Sequence, residues 1–337
     1  MRMTASKIQE WVKEDGETPE WVAEQPEDTR KHLHGYWKTS IVDGKKDTVK
    51  NRATAVRQFT EWFDGDITEA ETSDIDEWRE ELVLQDYGYR SVRQKIYALS
   101  TYYNWLQDRE GFEKNPVDDV DVENYEKTKQ DEHLDRQYVT KEEFEAMMDA
   151  CEKTRERLVC RLFWDCGVRV GEAVEIKLND IDRRNKSITF ESGKTKKMEK
   201  DDERTVYYSQ AMENILIEWL ENGDRNSYLG SKGDYLICSR EAEQMYPGSV
   251  SDIVRDVADR AGVLKEVYED QSERTRYFPH PHAIRKSYGV YRTQRGMPIA
   301  YLSELMGHAD IETTRDKYLK FRDDDIREAD RRYRPTV

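Results

Sequence analysis

Cysteine, proline and glycine are all scarce, at 4, 8 and 17 of 337 residues. Cys151, Cys160, Cys166 and Cys238 form no Cys-x-x-Cys pair. That spacing argues against a thiol zinc site or a thioredoxin-type redox pair and predicts buried free thiols in a reducing compartment. No apolar run approaches the ~18–20 residues needed to cross a bilayer. Met1 to Asp15 is polar and lacks the apolar stretch of a secretion signal. A cytoplasmic protein without a membrane partner is therefore expected. Basic charge is short as well, 55 Lys and Arg against 71 Asp and Glu, for a formal net charge of −16. With 37% charged, 36% hydrophobic and 11% aromatic residues, the chain is too charged for a membrane protein and too rich in Tyr and Trp for a disordered one. At roughly 100–200 residues per domain, the length predicts two domains, each burying its own core.

An acidic chain, taken alone, argues against a nucleic-acid partner, because phosphate binding rests on Lys and Arg. The distribution reverses that argument. Arg183 to Arg204 holds eight basic and five acidic residues, and Ser272 to Gly296 holds six and one. Two positive islands thus stand in a background of −24. A uniformly acidic remainder is suited to solubility in very high salt. At 1 M salt the Debye length is ~3 Å, so its repulsion of a polyanion would be screened. A salt-loving source is the expectation, and an ordinary acidic protein the alternative.

The first third reads as helix: Asp28 to Ser40, Lys46 to Phe63 with Val49, Ala53, Val56, Phe59 and Phe63 at helical spacing, Asp74 to Leu84 with Ser73 as N-cap, and Tyr89 to Asp108. Asn115-Pro116 closes this block. Residues 117–137 are charged and without a core-forming period, which reads as a linker. Thr140-Lys141-Glu142-Glu143 is a capping-box pattern that opens a second domain. In it, Arg155 to Asp165 reads as helix with Gly167 as a left-handed terminus, and Glu172 to Lys177 resumes helix. Ser187 to Phe190 and Arg204 to Tyr208 read as strands around a lysine-rich turn. Further helices are expected at Gln210–Glu221, Ser251–Arg260, His282–Gln294, Pro298–Met306 and Thr313–Leu319. The predicted fold class is mainly α with a small antiparallel β-sheet, in two domains.

Three histidines lie in the last quarter, two of them beside features that suit an anion. His282 and Arg285, at i and i+3 near a helix start, share one face. The free N–H groups and dipole of that terminus favour negative charge. His308 follows Gly307 just past a helix end, and Tyr318 comes ten residues later in another helix. Each feature has an ordinary reading too: Arg169 as an i, i+3 ion-pair partner of Glu172, the lysines from 194 to 200 as a solvated loop, His280 and His282 as a metal pair lacking further ligands, and Tyr318 as a core aromatic.

In order, these stretches resemble the tyrosine recombinase family of phage integrases and Xer-type proteins. Gly167-Val168-Arg169-Val170-Gly171-Glu172 is similar to its Gly-x-Arg-x-x-Glu box, and Gly193-Lys194-Thr195-Lys196 to its lysine hairpin. His282-Ala283-Ile284-Arg285 matches its His-x-x-Arg box. Leu305 to His308, Thr313-Thr314 and Tyr318 match the final Leu-Gly-His and nucleophile box, with Met306 inserted. The helical first block resembles the family's SAM-like core-binding domain. Departures are Lys286-Ser287 after Arg285 and the ten-residue step to Tyr318, where nine is common; one residue turns a helical side chain by ~100°.

The resemblance implies a site-specific recombinase or integrase, DNA breaking and rejoining through a 3′-phosphotyrosyl link, no cofactor and no metal. It implies Tyr318 as nucleophile, Arg169 and Arg285 on the scissile phosphate, and Lys194 as proton donor to the leaving oxygen, with Lys196 or Lys197 as substitutes. It also implies His308 as a donor to the phosphate, His282 as the group that positions or deprotonates the tyrosine, and Glu172 as the residue orienting Arg169. Lys196, Lys197, Arg274, Arg276 and Lys286 are the expected DNA contacts. The partner would be double-stranded DNA carrying recombination sites, bound by a homotetramer. The expected organisation is an N-terminal extension (1–24), a core-binding domain (25–116), a linker (117–137), a catalytic domain (138–325) and a tail (326–337). With the acidity, the resemblance points to a halophilic archaeon, its viruses or plasmids. A type IB-like topoisomerase and a catalytically inactive accessory protein are the rival readings.

Overall fold

The computed structural model describes residues 11–12, 18–43, 46–85, 87–122, 138–191, 203–269, 274–308 and 310–318. Lys194, Lys196, Lys197, residues 123–137 of the expected linker, and everything after Tyr318 lie outside the described residues. The chain divides into two compact units, 1–135 and 136–337. None of the described helices is long and apolar enough to cross a membrane.

The first unit is helical: α1 (Glu20–Ala23), α2 (Glu27–Asp43), α3 (Lys46–Trp62), α4 (Thr72–Leu84) and α5 (Tyr89–Glu110). The apolar stripes of α3 and α5 meet in one core, where Val49, Ala53, Val56 and Phe59 face Val92, Ile96, Leu99, Tyr102 and Leu106. Phe63 is only half-buried and stacks on Phe59, with ring centroids 5.5 Å apart. α4 starts two residues before the expected Asp74, and its N-cap is Glu71 rather than Ser73. The Glu71 N–H donates to Asp74 Oδ2 at 2.8 Å, so the acidic side chain at the third helical position secures the start.

The packing of this unit runs beyond both of its expected ends. Trp11, Trp21 and Val22 are buried in the same core, so these parts of the N-terminal extension are structural. Past Pro116, Val117, Val120 and Val122 are buried there too. Asn115 anchors the turn: its Nδ2 donates to Asn104 Oδ1 (2.8 Å) and Ser100 Oγ (3.0 Å), and its Oδ1 accepts from the Val117 N–H (2.9 Å).

The second unit is built round α7 (Thr154–Cys166), packed by α9 (Gln210–Leu220), α10 (Pro247–Arg260) and α11 (Pro281–Gln294). α6 (Lys141–Asp149) starts at the anticipated capping box, with Glu143 N–H to Thr140 Oγ1 at 3.1 Å and Thr140 N–H to Glu143 Oε2 at 3.0 Å. α8 (Val170–Glu175) stops two residues before Lys177, because Ile176 turns extended and its carbonyl accepts from the Leu236 N–H at 2.8 Å. α10 starts at Pro247, four residues before the expected Ser251; proline is favourable at the first helical position. β1 (Ile181–Asp182), β2 (Ser187–Glu191) and β3 (Glu203–Tyr207) form an antiparallel sheet with Ile188 opposite Val206. A second hairpin, β4 (Lys265–Glu269) with β5 (Thr275–Phe278), was not among the sequence expectations. α12 (Ile299–Met306) and α13 (Ile311–Tyr318) follow α11. All four cysteines are free; Cys160, Cys166 and Cys238 are buried, and Cys238 lies off any helix.

Candidate active site

Gly167 ends α7 in the left-handed region at φ 58°, and a Cβ there would lie 2.6 Å from the Tyr288 ring. Only glycine permits both the conformation and the contact. The chain then extends to Arg169, the N-cap of α8. The Arg169 N–H donates to Glu172 Oε2 and its Nη1 to Glu172 Oε1, both at 2.6 Å. A single carboxylate therefore fixes the start of the helix and the guanidinium together. Arg169 Nη2 reaches across 138 residues of sequence to the Gly307 carbonyl at 2.7 Å. The ordinary reading, an i, i+3 ion pair, is thus true of Arg169 and is also what orients it.

α11 opens with His280 as N-cap, its Nδ1 accepting the Ala283 N–H at 3.2 Å, and with Pro281 in the first turn. His282 is exposed on that turn, its ring parallel to that of His280 with centroids 6.4 Å apart. Arg285, one turn on, points inward and is 2% exposed. Its Nη1 donates to the Gly167 carbonyl (2.5 Å) and its Nη2 to the Met306 carbonyl (2.6 Å). Glu172 Oε2 lies 3.6 Å from Nη1, and His308 Nε2 lies 3.4 Å from Nη2. The α7–α8 turn, α11 and the α12–α13 turn thus meet on one guanidinium.

Gly307 ends α12 in the left-handed region (φ 60°) and delivers His308 to that cluster. A guanidinium can only donate, so His308 Nε2 faces Arg285 as an acceptor, which leaves the proton on Nδ1 for the Thr314 hydroxyl at 2.6 Å. Thr314 is fully buried on α13. Tyr318 follows it by four residues and so shares its face. The ten-residue step from His308 to Tyr318 thus passes through Thr314, which His308 meets directly. Tyr318 is 4% exposed, its ring against Gly289 of α11, where a Cβ would lie 2.4 Å from Cε1 and 2.9 Å from the hydroxyl oxygen.

Sequence reasoning missed one member. Arg204, on β3, has a 6% exposed side chain whose Nη2 donates to Glu172 Oε2 at 2.7 Å. Its guanidinium lies against Gly307, where a Cβ would be 2.3 Å from Nη1. The signal was the alternation of β3, which puts Arg204 on the same inward face as Val206. Among the expected DNA contacts, Arg274 and Arg276 are exposed at β5 and Lys286 is half-buried on α11.

Three guanidiniums thus surround one carboxylate. Burial raises the Glu172 pKa, but Arg204, the Arg169 N–H, Arg169 and Arg285 outweigh it and hold the carboxyl below its usual range. Burial first, then Arg169 and Arg204, pulls Arg285 down to about 10, which still leaves it cationic at neutral pH. His308 is held at about 3 by burial, then by Arg285, Lys317, Arg169 and Arg204. His282, though its surface is exposed, is crowded enough that desolvation, followed by Arg285, His280, Lys317 and Lys286, holds it at about 4. Burial pushes the Tyr318 phenol up to about 12, with Arg285 pulling the other way. The result is a pocket of surplus positive charge, suited to an anion, with neutral imidazoles and a protonated phenol.

The imidazoles make stability pH-dependent with a definite sign. Their ordinary pKa is 6.5, and the fold lowers it, so the unfolded chain takes up more protons as pH falls. Stability therefore drops on going from pH 7 toward pH 4. Urea midpoints at pH 7 and pH 5 should show the loss, and His308→Gln should make it shallower. An equal slope in the variant would contradict the His308 assignment.

Residues 137–324 match the model of the phage integrase family. Similar sequences include a tyrosine recombinase XerA of Saccharolobus solfataricus, 21% identical over 81% of this chain and 82% of that one. A tyrosine recombinase XerC of Staphylococcus saprophyticus is 24% identical over 74% of this chain and 77% of its own. Among solved structures, the XerH site-specific recombinase bound to a palindromic difH substrate in a post-cleavage complex shares the fold at TM-score 0.65 and 16% identity. That likeness covers 98% of this chain and 96% of that one.

Proposed function

The chain belongs to the phage integrase family and is a tyrosine-type site-specific DNA recombinase, and we propose that Tyr318 attacks a DNA phosphodiester held by Arg169 and Arg285. The observation that carries this assignment is the convergence of Arg169, Arg285 and His308 within hydrogen-bonding reach of each other or of Glu172, with Tyr318 one helical turn from the threonine that His308 binds.

In the proposed reaction the phenol oxygen forms a bond to phosphorus, the P–O5′ bond breaks, and a 3′-phosphotyrosyl link conserves the energy of the broken bond for religation. The phenol proton leaves toward His282, neutral at working pH and on the same helix as Arg285. The departing 5′ oxygen takes a proton from Lys194 or a neighbouring lysine. Negative charge growing on the non-bridging oxygens is met by guanidinium forks, for which Arg is better shaped than Lys. His308 can donate to the phosphate through Nε2 once that nitrogen carries a proton, and an incoming phosphate favours this by countering the arginines that hold its pKa low. Glu172 keeps Arg169 in register throughout.

The first unit serves as the SAM-like helical core-binding domain and the second as the catalytic domain, with Arg274, Arg276, Lys286, Lys196 and Lys197 on the DNA backbone. Exchange of strands between two duplexes takes two cuts in each, hence a homotetramer on DNA in the cytoplasm. The deciding experiment is capture on a nicked suicide substrate carrying the protein's own site. Mass spectrometry should place the DNA on the peptide that contains Tyr318. DNA on another residue, or no adduct on the proper site, overturns the assignment. Adducts on any sequence, with relaxation of supercoils, would favour a topoisomerase.

The excess of acidic charge, 71 residues against 55 basic ones, supports a halophilic archaeal source, including its viruses or plasmids. Cleavage should then persist in molar KCl and weaken, with the fold, at low salt. Full activity and an intact fold at low salt would remove this reading.

A further inference from the structure

Arg204 carries charge into the site without an assigned task, and its surroundings specify one. Glu172 Oε2 already accepts the Arg169 N–H at 2.6 Å. Arg204 Nη2 takes the same oxygen at 2.7 Å, while Arg285 Nη1 stands off at 3.6 Å. One carboxylate thus has three cations around it, and only two are closely paired with it. A largely buried carboxylate, 15% exposed, beside a 2% exposed arginine would close to a full ion pair unless another cation occupied the oxygen between them, because a shared charge-assisted hydrogen bond is the strongest contact open to both.

From this we infer that Arg204 is a positioning residue for strand cleavage. It saturates Glu172 so that Arg285 is not drawn into a carboxylate pair and keeps its charge for the scissile phosphate. The inference rests on the recombinase reading and adds a residue to it. Two further observations fit. The guanidinium of Arg204 packs on Gly307, whose carbonyl receives Arg169 Nη2, so the same side chain fixes the turn that presents both that carbonyl and His308. The cost of burying this cation is visible in its own acidity: desolvation lowers the Arg204 pKa, and Glu172 recovers part of that loss. A cation buried at such cost serves whatever it is paired with.

The alternative role for Arg204 is a third direct phosphate contact, and a thermodynamic cycle separates the two. Single-turnover cleavage of the suicide substrate and DNA affinity are measured for wild type, Arg204→Gln, Glu172→Gln and the double variant. Acting through Glu172, Arg204→Gln should cut the cleavage rate by about 100-fold or more, with the dissociation constant for DNA changed by less than about threefold. In the Glu172→Gln background the same change should cost less than about threefold, since nothing is left to saturate. A penalty of equal size in both backgrounds would make Arg204 a phosphate contact and overturn the positioning role. Loss of affinity and of melting temperature in step with the rate would make it merely structural. Should Glu172→Gln be too slow to measure, a crystal structure of Arg204→Gln decides: Arg285 Nη1 and Glu172 Oε2 should close from 3.6 Å to hydrogen-bonding distance, and an unchanged separation refutes the inference. Wild-type protein that forms no adduct would instead sink the recombinase assignment itself, so the two failures are distinguishable.

Discussion

Tyr318→Phe should fold, bind DNA and form no covalent adduct. The substitution deletes one oxygen and keeps the ring that packs against Gly289, so the close fit with α11 survives. The phenol oxygen is the only atom of that side chain able to form the bond to phosphorus, so the loss of cleavage should be complete rather than graded, below detection on a suicide substrate. Stability should change by less than about 1 kcal/mol, the usual net value of one hydrogen bond. The tight burial adds a second expectation. A 4% exposed phenol held near 12 keeps its proton at neutral pH and passes it to His282, which is neutral above about 4, so the wild-type rate should be level across the neutral range and fall as the pH approaches 4. Adduct formation surviving in the phenylalanine variant would move the nucleophile elsewhere, with Tyr301 and Tyr333 the next candidates.

How much of this was open to reading from sequence depended on whether a residue stood out against its local pattern. Arg169 and His308 did, each just after a glycine that the structure shows in a left-handed helix terminus, and Arg285 did as the partner of His282 at i, i+3 near a helix start; the family resemblance then joined them into boxes. Arg204 did not, because it reads as the last of eight bases in a charged stretch; only the two-residue period of its strand marks it as inward. The β4–β5 hairpin was invisible for a related reason. Lys265-Glu266-Val267-Tyr268-Glu269 has no buried face of its own and becomes a strand by pairing with β5 across an irregular register. Val117, Val120 and Val122 were read as linker because acidic neighbours hide them, and it is the Asn115 side chain that turns them back onto the core. Long-range contacts decided each of these cases, and no local period records them.

Arg285→Ala should produce the largest loss short of removing the nucleophile, and should do so by two routes that can be measured apart. The first is catalytic. Removing a preorganised donor from developing oxyanion charge costs about 10²–10³ in rate, or ~2.7–4 kcal/mol. The second is structural. Arg285 joins the carbonyls of Gly167 and Met306, at 2.5 and 2.6 Å, and so ties the turn that presents Arg169 to the turn that presents His308. Alanine leaves both carbonyls without that donor, at about 1–3 kcal/mol for each buried unsatisfied group. Set against this is the relief of a buried cation whose pKa the fold has already pulled down to about 10, and Glu172 remains paired with Arg169 and Arg204. The net loss of stability should therefore be modest, while cleavage falls by at least the catalytic factor. Arg285→Lys separates charge from shape. A single ammonium restores the charge, but its donors radiate from one nitrogen and do not reproduce the planar fork whose Nη1 and Nη2 reach the two carbonyls separately, so lysine should recover little of the rate. Recovery to near wild type would show that the site needs only a positive charge at this position, and that the fork linking the two turns is dispensable.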